Sequence, residues 1–260
     1  MKKMATILLG VIIIVYLLLV LGFVRDAHDG VLCSGLDVVI RDSLERSFLN
    51  ESDVRNLIRI EHPEIAGIPM SGLDAASMEE SLSQIPAIKN AQVYKTVEGR
   101  LVIEITQRTP VIRVEDRDHR QYFLDEEGNV IPAAAGYAPH ILLVNGEISG
   151  SYRNRHNVLE GQEELPGENI MIDIMALANY IAGHSFWNAQ IVQVYVNRKK
   201  EFELVPRVGA QIILFGDGSR LEQKFFKLGT LYREGFRQKG WNHYEIINLK
   251  YDNQVICTKR

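Results

Sequence analysis

An uncharged run of 21 residues near the N-terminus constrains this chain more than any other feature. Residues 4–24 contain no Asp, Glu, Lys or Arg. A helix of this length spans about 31 Å, which matches the roughly 30 Å hydrocarbon core of a bilayer. Lys2 and Lys3 precede the run, and the positive-inside bias therefore predicts a cytoplasmic N-terminus. We predict a cytoplasmic tail at residues 1–3, a single transmembrane helix at residues 4–24 and an extracytoplasmic remainder.

A cleaved signal peptide is the alternative interpretation of the same run. Its apolar region should be shorter, about 7–15 residues, and should end at a small-x-small site. The sequence Gly22-Phe23-Val24-Arg25 does not resemble such a site. The pattern therefore favours an uncleaved anchor, followed by a polar tether at residues 25–35.

Charge and cysteine content narrow the possible functions. The formal net charge is −4, which does not favour a nucleic-acid binder, because phosphate neutralisation requires a basic patch. The two cysteines are Cys33 and Cys257. The compartment outside the membrane permits disulfides, so pairing remains open, although we favour two separate thiols.

Hydrophobic periodicity after the tether predicts a small α+β module. Residues 36–41 alternate as a strand, and Asn50 begins a helix at residues 51–61. A second helix starts near Asp74 and ends before Pro86. Strands at 90–97 and 100–107 follow, so the order is β-α-α-β-β.

The pattern beyond Pro110 is mostly that of strands, interrupted by two helices. One helix has an apolar stripe from Ile170 to Ile181, and the other begins with a capping box at Ser219 and continues to about Lys239. The predicted strands lie at 111–115, 121–124, 141–144, 191–196, 201–206, 211–215 and 246–257. We expect a mostly antiparallel β domain with two helices.

No group of residues in the sequence predicts catalysis. The histidines lack metal-ligand spacing, and no G-x-S-x-G nucleophile elbow occurs. Gly216-Asp217-Gly218-Ser219 is better explained as a turn between a strand and a helix than as a phosphate loop. We predict that the chain is not an enzyme and has no cofactor, no metal and no small-molecule substrate.

The pattern of the segment 246–257 indicates a possible site for binding another protein chain. Its apolar and polar residues alternate, which predicts a half-buried strand. If that strand lies at the edge of a sheet, its unpaired N–H and C=O groups can accept a strand from a partner. Periodicity leaves open whether this strand is an edge strand or a central strand.

Three stretches of this sequence resemble the FtsQ/DivIB family of bacterial cell division proteins. They are MEESLSQIPAIKNAQVYKTVEGRLVIEITQRTP at 78–110, the hairpin at 122–128 and the terminal motif at 247–253. Two positions depart from the family pattern. Thr96-Val97-Glu98 replaces its Trp-Pro turn, and Gln107 replaces the Glu of its E-R-x-P element.

The resemblance implies a fold, a function and a set of partners. The fold would be a POTRA domain at 36–110 followed by an FtsQ-type β domain at 111–260. The function would be that of a non-enzymatic divisome scaffold in the cell inner membrane at the division septum, linking early and late division proteins. The partners would be an FtsB/FtsL-like coiled-coil pair and, as further candidates, septal peptidoglycan synthesis proteins.

The resemblance also implies the residues that bind the partner. An FtsB-like strand would add to the last strand of the chain, and Tyr251 would be the principal anchor. The implied binding residues are Asn248, Leu249, Lys250, Tyr251, Asn253 and Val255. The alternative function is a membrane-anchored POTRA chaperone for outer-membrane or secreted polypeptides. The partners of the POTRA helices, the domain orientation and the oligomeric state stay open.

Overall fold

The computed structural model describes residues 10, 12–19, 31–41, 49–63, 65–133, 139–160 and 170–260. The chain divides into two compact units, Met1–Gln107 and Arg108–Arg260, and each is described on its own.

The predicted tail at 1–3, most of the predicted span at 4–24 and the first part of the tether lie outside the described residues. Residues 10 and 12–19 are helical. Within the described ranges, no helix is both long enough and apolar enough to cross a bilayer.

Unit 1 is a three-stranded sheet with two helices. Its elements are β1 (Gly35–Ile40), α1 (Glu51–Glu61), α2 (Ala75–Ser83), β2 (Ile88–Lys95) and β3 (Arg100–Gln107). The strand order is β1-β3-β2, in which β1 pairs parallel and β2 antiparallel with the central β3. The predicted β-α-α-β-β order is therefore confirmed for this unit.

Local sequence signals determine where the helices of unit 1 begin. The Asn50 side chain accepts a hydrogen bond from the Asp53 N–H, and Asp53 caps the Asn50 N–H in return. Asp74 caps α2 by accepting from the Ser77 N–H. The helices and strands share one core, which includes Val54, Ile58, Met78, Leu82, Ile88, Leu101, Ile103 and Ile105.

Unit 2 is a nine-stranded sheet. Its strands are β4 (Pro110–Glu115), β5 (Gln121–Asp125), β6 (Val130–Pro132), β7 (Leu142–Gly146), β8 (Ile191–Val196), β9 (Phe202–Pro206), β10 (Ile212–Gly216), β11 (Tyr244–Asn248) and β12 (Ile256–Lys259). The strand order is β12-β11-β10-β9-β8-β7-β4-β5-β6. Five of the eight pairings are antiparallel, as predicted, and three are parallel.

The helices of unit 2 contribute to the same core as its strands. They are α3 (Ile170–Ala182), α4 (Ser185–Gln190), α5 (Leu221–Thr230) and α6 (Phe236–Lys239), and a single π-helical segment, Leu231–Gly235, joins the last two. Leu177 and Ile181 of α3 and Phe225 and Leu228 of α5 are buried in that core. The helices thereby cover apolar side chains of the sheet.

Four features of unit 2 differ from the sequence prediction. The strand predicted at 246–257 is wrong, because two strands, β11 and β12, are separated by a loop at 249–255. The predicted Ser219 cap is also wrong, since Arg220 occupies the cap position with a left-handed φ of 53° and Ser219 donates to Asp217 instead. The sequence analysis missed β6 and α4, which are too short to show clear periodicity.

We predict opposite changes in stability when two glycines of unit 2 are replaced by alanine. Gly146 has a φ of 112°, and an added Cβ would lie 2.2 Å from the Val196 carbonyl oxygen. Gly229 lies within α5, where an added Cβ would contact the Trp187 ring at an ordinary 3.5 Å. We expect Gly146→Ala to lower the free energy of unfolding by about 2 kcal/mol or more, and Gly229→Ala to raise it by about 0.5–1 kcal/mol. Urea unfolding of the two variants measures both changes, and equal effects would contradict the prediction.

Candidate partner-binding surface

Strand β11 is an interior strand of the sheet. It pairs parallel with β10 on one side, through Ile212 and Ile246 among others, and antiparallel with β12 on the other. The Leu249 N–H continues this pairing by donating to the Leu214 carbonyl at 3.0 Å. The first part of the predicted 246–257 segment is therefore paired on both sides.

The six residues predicted to bind a partner lie at the end of β11 and in the loop 249–255. Asn248 ends β11, and Leu249 is fully buried. The Lys250 ammonium forms an ion pair with the Glu201 carboxylate at 2.7 Å. Tyr251 is 49% exposed, Asn253 has a left-handed φ of 57°, and Val255 packs against the core. The structure brings the six residues together but places none of them on the edge strand.

The edge of this end of the sheet is β12. Ile256 is 45% exposed, whereas Cys257, which is opposite the buried Ile247, is half-buried against the core. Burial raises the pKa of the Cys257 thiol, and both Cys257 and Cys33 are free thiols. The sequence signal that separates β12 from β11 is Asp252-Asn253, because Asn and Asp tolerate the left-handed conformation that a tight turn needs.

At the other described sheet edges, hydrogen bonds with other segments occupy outward-facing backbone groups. At β6, the Val130 N–H donates to the His156 carbonyl at 3.0 Å, and Pro132 has no N–H to offer. At β2, the Val93 N–H donates to the Glu79 carboxylate at 2.6 Å. At β1, the Leu36 carbonyl accepts from Arg55 at 2.6 Å. These contacts reduce the capacity of each edge to accept another strand.

Strand β12 differs from these edges. Within the described part of the chain, residues Ile256–Lys259 make no hydrogen bond beyond their pairing with β11. Backbone groups on the outer side of an edge strand that lacks such a contact face solvent or a partner. Strand β12 is therefore the most accessible strand edge that the structure describes.

Helix α5 holds the loop beside this edge. The Lys227 ammonium donates to the carbonyls of Leu249 at 2.9 Å and Tyr251 at 2.6 Å. Burial lowers the pKa of Lys227, and the neighbouring cations Arg220 and Lys224 lower it further. Arg220 forms an ion pair with Asp252 in the same loop. The loop is thus fixed at several points along its length.

An apolar cleft adjoins the loop on the surface of α5. The cleft has a volume of about 320 Å³, and its walls include Phe226, Leu231 and Val255. Phe226 is 71% exposed, which is unusual for a large aromatic side chain in a folded protein. Such an exposed aromatic group beside an accessible edge is typical of a protein interface.

A buried lysine fixes the turn from which Arg220 extends. The Lys224 side chain is 3% exposed, and its ammonium donates to both the carbonyl and the carboxylate of Asp217 at 2.8 Å. The same ammonium lies 4.9 Å from the centre of the Phe215 ring, a cation–π contact. Burial alone would raise the pKa of Asp217, but hydrogen bonds from Lys224 and Ser219 outweigh it and hold this pKa at about 2. This cluster is structural, and the described residues contain no group of three or more His, Cys, Asp or Glu that could hold a metal.

Comparison with known proteins identifies both units. Residues 109–258 match the family model "FtsQ/DivIB, C-terminal related", and residues 31–106 match the POTRA-like domain model. A curated relative is the "Cell division protein FtsQ" of Rhodothermus marinus. It is 23% identical over 243 residues, which cover 92% of this chain and 85% of that protein.

The Asp217–Lys224 pair predicts an acid-dependent loss of stability. Because the folded-state pKa of Asp217 lies below the unfolded value, its contribution is present above pH about 4 and is lost as the pH falls to about 2. Asp217→Asn should remove that contribution and lower the free energy of unfolding at neutral pH by about 1 kcal/mol, a small value because the Asp217 side chain is 68% exposed.

Urea unfolding across this pH range tests the prediction. Glu245→Gln serves as the control, because Glu245 is an exposed carboxylate on β11 without a hydrogen bond among the described residues. Parallel pH profiles for the wild type and Asp217→Asn would refute the assignment.

Proposed function

The chain belongs to the FtsQ/DivIB, C-terminal related family, as its motifs predicted, and on that premise we propose that it is a scaffold of the bacterial division machinery. The family role is a non-enzymatic one in cell division. In our proposal the protein links early and late division proteins and recruits an FtsB/FtsL-like pair through strand addition, with septal peptidoglycan synthesis proteins as further partners.

The accessible edge of β12 is the observation that carries this proposal. In strand addition, main-chain hydrogen bonds supply affinity and alternate side chains supply specificity. An added strand next to β12 would extend the nine-stranded sheet by one strand. The recruiting strand in this proposal is Ile256–Lys259, which begins directly after Val255, the last of the residues that the family resemblance implied.

Side chains around β12 give the added strand its specificity. Ile256 is exposed on the face opposite the core, and Tyr251 and Phe226 are exposed beside the loop 249–255. Aromatic side chains dominate the energetics of many interfaces, so Tyr251 and Phe226 are the candidate anchors. Asn248, Leu249 and Lys250 then act indirectly, because their contacts with β10 and Glu201 hold the loop in place.

The proposed location is the cell inner membrane at the division septum. In this arrangement residues 1–3 are cytoplasmic, residues 4–24 span the bilayer and residues 25–35 form the tether. The POTRA domain at 36–110 and the β domain at 111–260 lie outside the membrane. The uncharged run and the lysines before it support this topology.

Depletion of the protein from cells separates this function from that of a POTRA chaperone. Loss of a divisome scaffold should give filamentous cells with undivided septa. Normal division together with defective assembly of outer-membrane or secreted proteins would instead favour the chaperone.

Two isoleucines with nearly equal exposure test the binding edge. Ile256 on β12 is 45% exposed, and Ile212 on β10 is 44% exposed, but Ile212 lies two strands inward from the edge. We expect Ile256→Asp to weaken binding of an FtsB-like partner by roughly 10- to 100-fold, or about 1.4–2.8 kcal/mol. Ile212→Asp should leave this binding nearly unchanged, and calorimetric titration of the full-length proteins measures both.

Circular dichroism and thermal unfolding must accompany the titration, so that a folding defect is not read as a binding defect. Equal binding by the wild type and a folded Ile256→Asp variant would rule out β12 as the recruiting strand. Equal losses of affinity in both variants would indicate that the partner binds the exposed face of the sheet rather than its edge.

A further inference from the structure

We propose that the end of unit 1 at which the chain enters β1 lies against the lipid bilayer and inserts Leu32 and Val97 into its interface. The inference rests on the proposed anchor at residues 4–24. It adds a second point of membrane contact, within the folded domain, to that anchor.

Hydrogen bonds join the entering chain to the turn between β2 and β3. The Ser34 N–H and hydroxyl both donate to the Gly99 carbonyl, at 2.7 and 3.0 Å. Gly99 lies so close to the entering strand that an added Cβ would be 2.6 Å from the Leu32 carbonyl oxygen. Leu32 and the turn that carries Val97 therefore belong to one continuous surface.

A second loop completes this surface. The Cys33 N–H donates to the Ile68 carbonyl, the Gly67 N–H donates to the Cys33 carbonyl, and Leu32 forms a β-bridge with Pro69. The last turn of α1 reaches the same end of the unit, because Arg59 and His62 line a cleft with Gly35 at the start of β1.

Among the described residues of 31–107, the three most exposed large apolar side chains lie at this end. Ile60 is 79% exposed, Val97 is 78% exposed and Leu32 is 56% exposed. Large apolar side chains at the surface are costly in water when they gather at one place, and such patches mark interaction sites. Along the chain, the exposed cation Arg59 precedes Ile60 and the exposed cation Lys95 lies two residues before Val97, and Glu98 is the acidic residue of the turn. Apolar side chains bordered by cations are the composition of a membrane-interface surface.

The short length of chain between the predicted span and unit 1 indicates that the bilayer covers this surface. The predicted span ends at residue 24, and Val31 is the first described residue after it. Seven residues extend over at most about 25 Å, so this end of unit 1 cannot leave the neighbourhood of the membrane. The apolar surface and the anchor therefore meet the same lipid surface.

The test places one environment-sensitive fluorophore on the full-length protein in vesicles of phosphatidylethanolamine and phosphatidylglycerol. Val97→Cys carries the label in a Cys257→Ser background, because the remaining Cys33 is only 2% exposed. Asn90→Cys is the matched control: Asn90 is an exposed position on the same strand pair, about 23 Å from Val97 along the strand direction. Brominated lipids quench labels in the bilayer, and iodide quenches labels in water.

We expect the label at position 97 to shift to shorter emission wavelengths, to be quenched by brominated lipids and to lose iodide quenching. The label at position 90 should show the opposite behaviour. Equal iodide quenching at both positions, or protection from both quenchers at position 97, overturns the proposal. The second result would mean that a protein covers this end.

Flotation of the vesicles after an alkaline carbonate wash separates this inference from the anchor on which it rests. If the protein floats but its label at position 97 stays in water, the anchor is supported and the second membrane contact is refuted. Protein that does not float refutes the anchor, and the contact is refuted with it.

Discussion

The organisation of unit 2 depends on the need of every backbone N–H and C=O group for a partner. Strands β11 to β5 meet this need through neighbours on both sides, and β6 meets part of it through residues 156–158. Strand β12 has a neighbour on one side only. Because no other described contact covers β12, the strand order leaves its outer backbone groups accessible, and these are the groups that we propose for strand addition.

Charged side chains hold the neighbourhood of that edge in place. Lys224 fixes the turn that precedes α5, Lys227 binds two carbonyls of the loop 249–255, and Arg220 pairs with Asp252. Two of these cations, Lys227 and Arg220, therefore bind the loop directly, in addition to the apolar contacts of Leu249 and Val255 with the core. An ordered loop loses less conformational entropy when a partner binds, which favours affinity.

Local sequence signals predicted the elements that have strong periodicity or clear caps. The helix at 51–61 and the strands at 100–107 and 191–196 have the bounds that the sequence indicated. The edge position of β12 was harder to predict, because the parallel pairing of β10 with β11 is formed by residues far apart in sequence. The loop 249–255, which contains the left-handed Asn253, interrupts an alternation that the sequence continues from β11 into β12.

If a partner adds a strand to β12 as we propose, main-chain groups and side chains constrain the two sequences differently. Main-chain groups are the same in every sequence, so the added strand can accumulate substitutions as long as it stays extended and keeps its alternation. In the proposed complex, recognition by side chains falls to the loop 249–255, Phe226 and Ile256. Paired changes between co-evolving partners should therefore concentrate at those positions, while the remaining residues of the ladder drift more freely.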